Sequence, residues 1–483
     1  MLKQIIMKKL YLNFMEKKKH ASFSGSLGFV LASAASAVGI GNIWRFPYLA
    51  AKDGGGLFLF IYIALVITFG FSLLITDIAI GRKTRSNPIH AFASLKKKFK
   101  FVGILTFMVP SIIITYYTVL GGWITKYLVV YATGQSSAAS TDGYFTSFIA
   151  SSAAPIMFML LFLAASALIV FLGVEKGIEK FSKWVMPGLI VIILGIAIYA
   201  LTLSHTDANG VTRTGLQGLA VYVIPNFEGL TFSRFMEVLL DAMSQLFFSL
   251  SVSMGIMITY GTYVKDDVNL SKSVTHIEIF DTGVAFLVGL LIIPSVYVFL
   301  GADGMSGGAG LMFMSLPKVF NAMGGAGAII GALFFIMVEI AALTSSVSVL
   351  ETIVASLMEM TGKSRRFISL LVTIVAAAGA VFVCLGYSVF YFEVTVPGAS
   401  APGQLLDVLD YISNSLMMPF ISLMTCILVG WVIKPSTMTD EIEKGGHKFH
   451  RKKLYVVMIK FVAPVLMLLL LCQSSGLISI LTK

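Results

Sequence analysis

Apolar runs long enough to cross about 30 Å of hydrocarbon recur along this chain at roughly 24–50, 56–81, 101–131, 153–173, 182–203, 234–262, 277–300, 326–358, 367–390, 405–433 and 453–478. Such a pattern predicts an all-α integral membrane protein of about 11 transmembrane helices. Composition points the same way: of 483 residues, 57% are hydrophobic and 12% charged, whereas a soluble globule carries about a quarter charged. No water-facing particle of this size hides so much apolar surface. The lipid bilayer is therefore the solvent, and soluble enzymes and disordered tails are excluded.

In a soluble chain a formal charge of +11 would raise the question of nucleic acid, but here placement matters more than the sum. Of 35 Lys and Arg, 27 fall in the first 23 residues and in alternate loops, which the positive-inside rule reads as cytoplasmic. The expectation is a multi-pass plasma-membrane protein with a cytoplasmic N-terminus, no nucleic-acid partner, no obligate protein partner and, for an odd span count, Lys483 outside. Cys384, Cys426 and Cys472 sit inside apolar segments without metal spacing, so neither a disulfide framework nor a zinc site is expected. The first run shows no cleavage site after its lysines and is read as an uncleaved span.

Two runs are interrupted. Ala37-Val38-Gly39-Ile40-Gly41-Asn42 puts two glycines in mid-span, and Ser249-Leu250-Ser251-Val252-Ser253-Met254-Gly255 puts three serines and a glycine there. Glycine and serine weaken helices, and unwound backbone is tolerated at membrane depth only inside protein or along a cavity. A single break of this kind reads as small-residue helix packing. Two breaks five spans apart point instead to a midplane site between inverted-topology repeats.

The stretch Ala35-Ser36-Ala37-Val38-Gly39-Ile40-Gly41-Asn42-Ile43-Trp44-Arg45-Phe46-Pro47-Tyr48, followed by Gly54-Gly55-Gly56, resembles the neurotransmitter:sodium symporter family, in its bacterial amino-acid transporter branch. The likeness continues through Asp77 to Arg82, Tyr116-Tyr117, Gln245 to Tyr263, Leu343 to Ser346 and Asp407 to Asp410, so it covers spans one to ten. The family is itself an example behind the broken-helix rule, so the two arguments are not independent. The resemblance implies two five-helix repeats over 24–203 and 234–433. Flanking them are a cytoplasmic tail at 1–23, an extracellular loop at 204–233, a cytoplasmic loop at 434–452 and an additional helix at 453–483.

A sodium ion takes hard oxygen ligands, which freed carbonyls and Ser or Thr hydroxyls supply. By resemblance one sodium site uses Ala35, Val38, Ala341, Thr344 and Ser345; on the residues alone, Thr344 and Ser345 bond a carbonyl one turn back. A second, substrate-linked site uses Ala37, Asn42 and Ser249 with Asp281, where the family usually has asparagine. Chloride-dependent relatives hold chloride near positions matching Tyr62, Gln245 and Ser249. The fixed carboxylate of Asp281 takes that role here, so two sodium ions and no chloride are expected, with Asp281 taking up a proton on the return step. Intramembrane acids are costly, which supports a function for Asp281; Glu339 carries no motif and its role stays open.

Gly39 stands where monoamine-carrying relatives have an aspartate, which leaves room for a substrate carboxylate. The resemblance then implies an α-amino acid. Its carboxylate is expected against Ser36, Gly39, Gly41 and Tyr117, and its side chain against Ile113, Phe248, Met254 and Val349. Ser249, Ser251, Ser253, Ser345 and Ser346 add polar accents, and the set favours a bulky apolar or aromatic amino acid. Arg45 and Asp410 are the expected outer gate, with interfacial snorkelling the plain alternative for Arg45. Tyr263 and Glu359 are the expected inner gate, with Lys19 and Phe23 as a loose N-terminal pair. No hydrolase elbow or metalloprotease helix appears, so no enzyme is expected. The competing functions are an amino-acid sensor of the same fold and a proton-coupled permease.

Overall fold

The glycines and serines of both predicted breaks interrupt helices, and the remaining apolar runs fold as long ones. The computed structural model describes residues 22–301, 304, 310–397 and 402–477. Span one is α1 (Ser26–Ala37) and α2 (Gly41–Lys52), bent by 56°. There follow α3 (Gly56–Thr84), α4 (Lys97–Ala132), α5 (Ala153–Phe171) and α6 (Val174–Thr202). The sixth run splits into α7 (Phe232–Ser249) and α8 (Ile256–Thr262). The chain continues through α9 (Leu270–Leu300), α10 (Gly325–Thr361), α11 (Arg365–Leu385), α12 (Leu405–Val432) and α13 (Lys452–Ser474). Lys19 and Lys483 lie outside the described residues, as does nearly all of 1–23.

Among the described residues nine helices are long and apolar enough to cross a membrane, or ten when α1 and α2 count as one span. The sixth run, α7 with α8, does not reach that measure. Its first half carries Arg234, Glu237 and Asp241, and its second is only 7 residues long. Between α6 and α7 the chain forms a small antiparallel hairpin, β1 (Ser204–Thr206) with β2 (Thr212–Thr214), and the helix Gly215–Val223. That helix starts with a capping box in which Thr214 and Gln217 satisfy each other's backbone.

Helices in lipid associate through close packing and interhelical bonds, since tails are as apolar as leucine. One close approach is that of α3 on α8. A Cβ on Gly81 would stand 1.9 Å from the Ile258 carbonyl oxygen, and one on Gly261 would stand 2.3 Å from that of Ile78. Elsewhere aromatic rings fill the contact between α4 and α10: Tyr127 and Tyr131 each lie 5.2 Å from Phe335, and the Tyr127 hydroxyl donates to the Phe313 carbonyl at 2.7 Å. At the end of α3, Arg82 is buried and donates to Glu441 Oε1 and the Val268 carbonyl, each at 2.8 Å. This ties the loops after α8 and α12 to α3. Burying a guanidinium is tolerable only with such partners.

Candidate substrate and ion site

The first break begins where Val38 leaves helical geometry (φ −69°, ψ 98°), and Asn42 closes it. Its Oδ1 accepts from the Gly39 amide at 3.2 Å, and its Nδ2 donates to Asp281 Oδ1 on α9 at 2.8 Å. The second break begins at Ser249, whose hydroxyl donates to both Asp281 oxygens at 2.8 and 2.9 Å. One fully buried carboxylate thus meets both interruptions. Gln245 adds a tie, donating to the Gly41 carbonyl at 3.1 Å.

In the second break Ser251 (φ +52°) and Ser253 (φ +63°) adopt the left-handed backbone, and Gly255 (φ +75°) restarts the helix as α8. For a non-glycine residue that conformation is uncommon and marks a local constraint. The constraint is visible: the Ser253 amide donates to Asp77 Oδ2 on α3 at 2.9 Å, and its hydroxyl lies 2.5 Å from that of Ser422 on α12.

Between the breaks lies a small pocket, with about 20 Å³ open to the centre of a water-sized sphere. Of the residues expected to meet substrate, Ser36, Gly39, Gly41, Ile113, Tyr117, Phe248, Ser251, Met254, Ser345 and Val349 line it together. Ser249, Ser253 and Ser346 do not: the first two turn to Asp281 and to Asp77 and Ser422, and Ser346 is buried nearby without a hydroxyl partner. Ala37, Asn42 and Ile256 line it as well. A Cβ on Gly39 would stand 2.7 Å from Ser345 Oγ and 3.4 Å from the Tyr117 hydroxyl oxygen, and one on Gly41 would stand 2.4 Å from the Phe248 ring. The glycines therefore keep backbone within reach of the cavity. The Ser36 and Tyr117 hydroxyls have no hydrogen-bond partner among the described residues, and buried polar atoms ordinarily have one.

Ser345 joins α10 to the first break, donating to the Ser36 carbonyl at 3.1 Å and the Val38 carbonyl at 3.5 Å. Thr344 turns to its own helix, to the carbonyls of Ala341 at 3.0 Å and Ile340 at 3.2 Å, while Ala35 is buried in the last turn of α1. Around Asp281, the Tyr62 hydroxyl and Gln245 Oε1 are buried without partners. Glu339 accepts from the Thr125 hydroxyl on α4 at 3.0 and 3.2 Å.

The gate residues are arranged differently from the expectation. Arg45 donates to the Ser244 hydroxyl at 2.7 Å, and Asp410 accepts from Asn414 Nδ2 at 2.5 Å; the two do not bond directly. At the end with the basic loops, Tyr263 does not meet Glu359. Its hydroxyl donates to Glu351 Oε1 at 2.7 Å, and Arg365 clamps the same carboxylate at 2.5 and 2.8 Å. Glu359 accepts instead from the amide and side chain of Asn87 and faces His90 at 2.9 Å. Phe23 donates its amide to the Tyr263 carbonyl at 3.1 Å and packs its ring on Tyr260 and Tyr263. Glu351 was missed in sequence because an acid seven residues after Thr344 reads as an ordinary helix-end charge. Its signal is Arg365, 14 residues on, across a turn that brings both to one end of α10 and α11.

The model of the sodium:neurotransmitter symporter family matches residues 20–147 and 145–481. The chain belongs to that family. It is a family of transporters, not of enzymes. The uncharacterized sodium-dependent transporter YhdH of Bacillus subtilis is 30% identical over 477 residues, covering 96% of this chain and 100% of that protein. The sodium- and chloride-dependent GABA transporter 2 of Rattus norvegicus is 24% identical, covering 87% of this chain and 74% of that one. A crystal structure of MhsT in complex with L-phenylalanine aligns with a TM-score of 0.81 at 32% identity, over 94% of this chain and 100% of MhsT. The symporter fold is therefore shared over nearly the whole chain, and the names of the Bacillus subtilis and Rattus norvegicus relatives both carry sodium dependence.

Proposed function

We propose that this symporter couples sodium to the uptake of a neutral, bulky apolar or aromatic amino acid across the plasma membrane, with its N-terminus in the cytoplasm, by alternating access. The observation that carries this reading is the cavity between the two breaks, where Gly39 leaves space beside the free hydroxyls of Ser36 and Tyr117. In our reading the substrate carboxylate lies there, near the start of α2, and its side chain lies against Ile113, Phe248, Met254 and Val349. Helix N-termini favour anions. That MhsT was crystallised with L-phenylalanine supports an amino acid of this size.

One sodium ion would sit with Ala37, Asn42, Ser249 and Asp281, and a second with Ala35, Val38, Ala341, Thr344 and Ser345. Asp281 would supply the negative charge that chloride gives elsewhere, so transport needs no chloride. Tyr62 and Gln245 complete that region. Two sodium ions moving with a zwitterion down 100 mV carry about 4.6 kcal/mol, or roughly a thousandfold accumulation. Return of a proton on Asp281 would halve that term. Arg45 and Asp410 close the outer side once substrate draws α2 towards α12, and Tyr263 with Glu351 and Arg365 closes the inner side, with Glu359 holding the loop at Asn87.

Uptake of a panel of labelled amino acids into proteoliposomes, under a sodium gradient, a proton gradient or none, tests the proposal. Sodium-driven accumulation of a large apolar amino acid is expected. Binding without accumulation under any gradient would make the protein a sensor, and accumulation driven by protons alone would remove both sodium sites.

A further inference from the structure

Five charged side chains meet where span one ends, at the face opposite the basic loops. Lys52 is the last residue of α2 and Asp53 follows it; Arg234, Glu237 and Asp241 lie along the first half of α7. Lys52 Nζ stands 2.8 Å from Asp241 Oδ2, 3.1 Å from Glu237 Oε1 and 4.0 Å from Asp53 Oδ1. Arg234 donates to Asp53 Oδ1 at 2.9 Å and pairs with Glu237 at 2.7 Å. One oxygen from each of the three acids lies within 4.8 Å of the other two. Three carboxylates thus share two cations.

Asp53 is the member that cannot turn to water. Its side chain has no exposure, and its Oδ2 has no hydrogen-bond partner among the described residues. A buried carboxylate oxygen without a donor is costly, and two carboxylates sharing one site resist ionising together. The loop 224–231, which covers Gly54 through the Asn226 amide, adds only Glu228, which is exposed; the start of α3 and the helix Gly215–Val223 add no charged group.

We propose that the buried Asp53 carboxyl holds a proton that faces Asp241, and that this proton clasps the end of α2 to α7, so that the contact between the two broken spans responds to pH at that face. With that proton the cluster is neutral: three acids, two bases and one proton. Burial first, and Asp241 next, push the Asp53 carboxyl up to about 7 against the opposing pull of Lys52 and Arg234. The folded protein therefore holds a proton that the unfolded chain releases near 3.8. For an acid raised in this way, stability falls as pH climbs through that window and levels off above about 7. A hard divalent cation would suit the three oxygens, but the Lys52 ammonium already stands among them.

The test is thermal unfolding of the purified full-length protein in detergent from pH 5 to pH 8, for wild type, Asp53→Asn and Asp241→Asn. It is independent of any substrate. An amide at position 53 keeps the donor that the proton provides, so wild type should lose several degrees between pH 6 and pH 8 that Asp53→Asn retains. Asp241→Asn, whose amide donates to Asp53, should behave alike and stands in if the first variant does not fold. The same pH slope in all three proteins would overturn the proposal. So would stabilisation of wild type by calcium chloride at pH 8 that Asp53→Asn lacks, which would put a metal ion in place of the proton.

Discussion

Asp281 accepts from the side-chain amide of Asn42 at 2.8 Å, so an acid on α9 is held directly against the first break. Because Ser249 donates to the same carboxylate, one fixed negative charge faces both halves of the proposed substrate-linked sodium site. In the proposed function, charge placed there by the protein takes the place of a bound anion. Asp281→Asn should therefore lose about tenfold in sodium-driven uptake without chloride, equal to ~1.4 kcal/mol, and regain it when chloride is added. Uptake assays in chloride and gluconate buffers decide this. Unchanged, chloride-independent transport by the variant would sink the charge argument.

Gly39 is closed in by Ser345 and Tyr117, so a carboxylate at that position would occupy the space assigned to the substrate's own. Gly39→Asp should reduce amino-acid uptake by about a hundredfold or more, ~2.7 kcal/mol, while the protein still purifies as a monodisperse species. Wild-type uptake rates in this variant would move the substrate carboxylate elsewhere.

The buried Glu351 is paired to Arg365 and to the Tyr263 hydroxyl. Removing one partner of such a pair leaves an uncompensated charge and costs about 3–5 kcal/mol, whereas replacing both with neutral groups is often harmless. Glu351→Gln should melt well below wild type, and Glu351→Gln with Arg365→Met should recover most of the loss. Additive damage in the double variant would show that the two side chains do not act as a pair.

Arg45 and Asp410 stand apart, each satisfied by a neighbour. If they meet only when the site closes, Arg45→Ala and Asp410→Ala should each slow uptake several-fold while leaving the melting temperature near that of wild type. Normal rates in both would withdraw the gate assignment.

Asp266, in the loop after α8, has a carboxyl that burial raises but that Lys444 and Arg85 together hold below the usual carboxylate range. A depressed acid stabilises the fold above its unfolded value of 3.8, and the contribution disappears as pH falls through the folded value. The difference in melting temperature between wild type and Asp266→Asn should be present at pH 6 and shrink as pH falls below 3.8. A difference that persists in acid would assign it to packing.

Spans, breaks and the residues around the cavity were legible in the chain because each rests on local composition. Apolar length gives a helix, and Gly39, Gly41 and Gly255 mark where one is interrupted. The sixth span was legible only as a run: α7 carries Arg234, Glu237 and Asp241 because its first half leads into the charged cluster at Asp53. What spacing does not reveal is which acid a distant side chain selects. Tyr263 lies 88 residues before Glu351 and 96 before Glu359, and both acids follow Thr344 on one helix. The choice is made by Arg365 entering from α11, a tertiary event. Ser253 illustrates the same limit: its hydroxyl looked like a pocket accent, yet the left-handed backbone at 253 turns it to Ser422.

The crossing of α3 over α8 leaves no side chain between the two backbones at Gly81 and Gly261. Sliding there would drive a carbonyl into a Cα, so the pair has no slack. Asp77 fastens the same helix to the strained turn just before α8. A tilt of α8 would therefore have to carry α3 with it, as a single lever with the second break as its pivot. An added methyl at position 81 or 261 should split that lever, turning one stiff body into two that drift apart without changing any residue of the cavity.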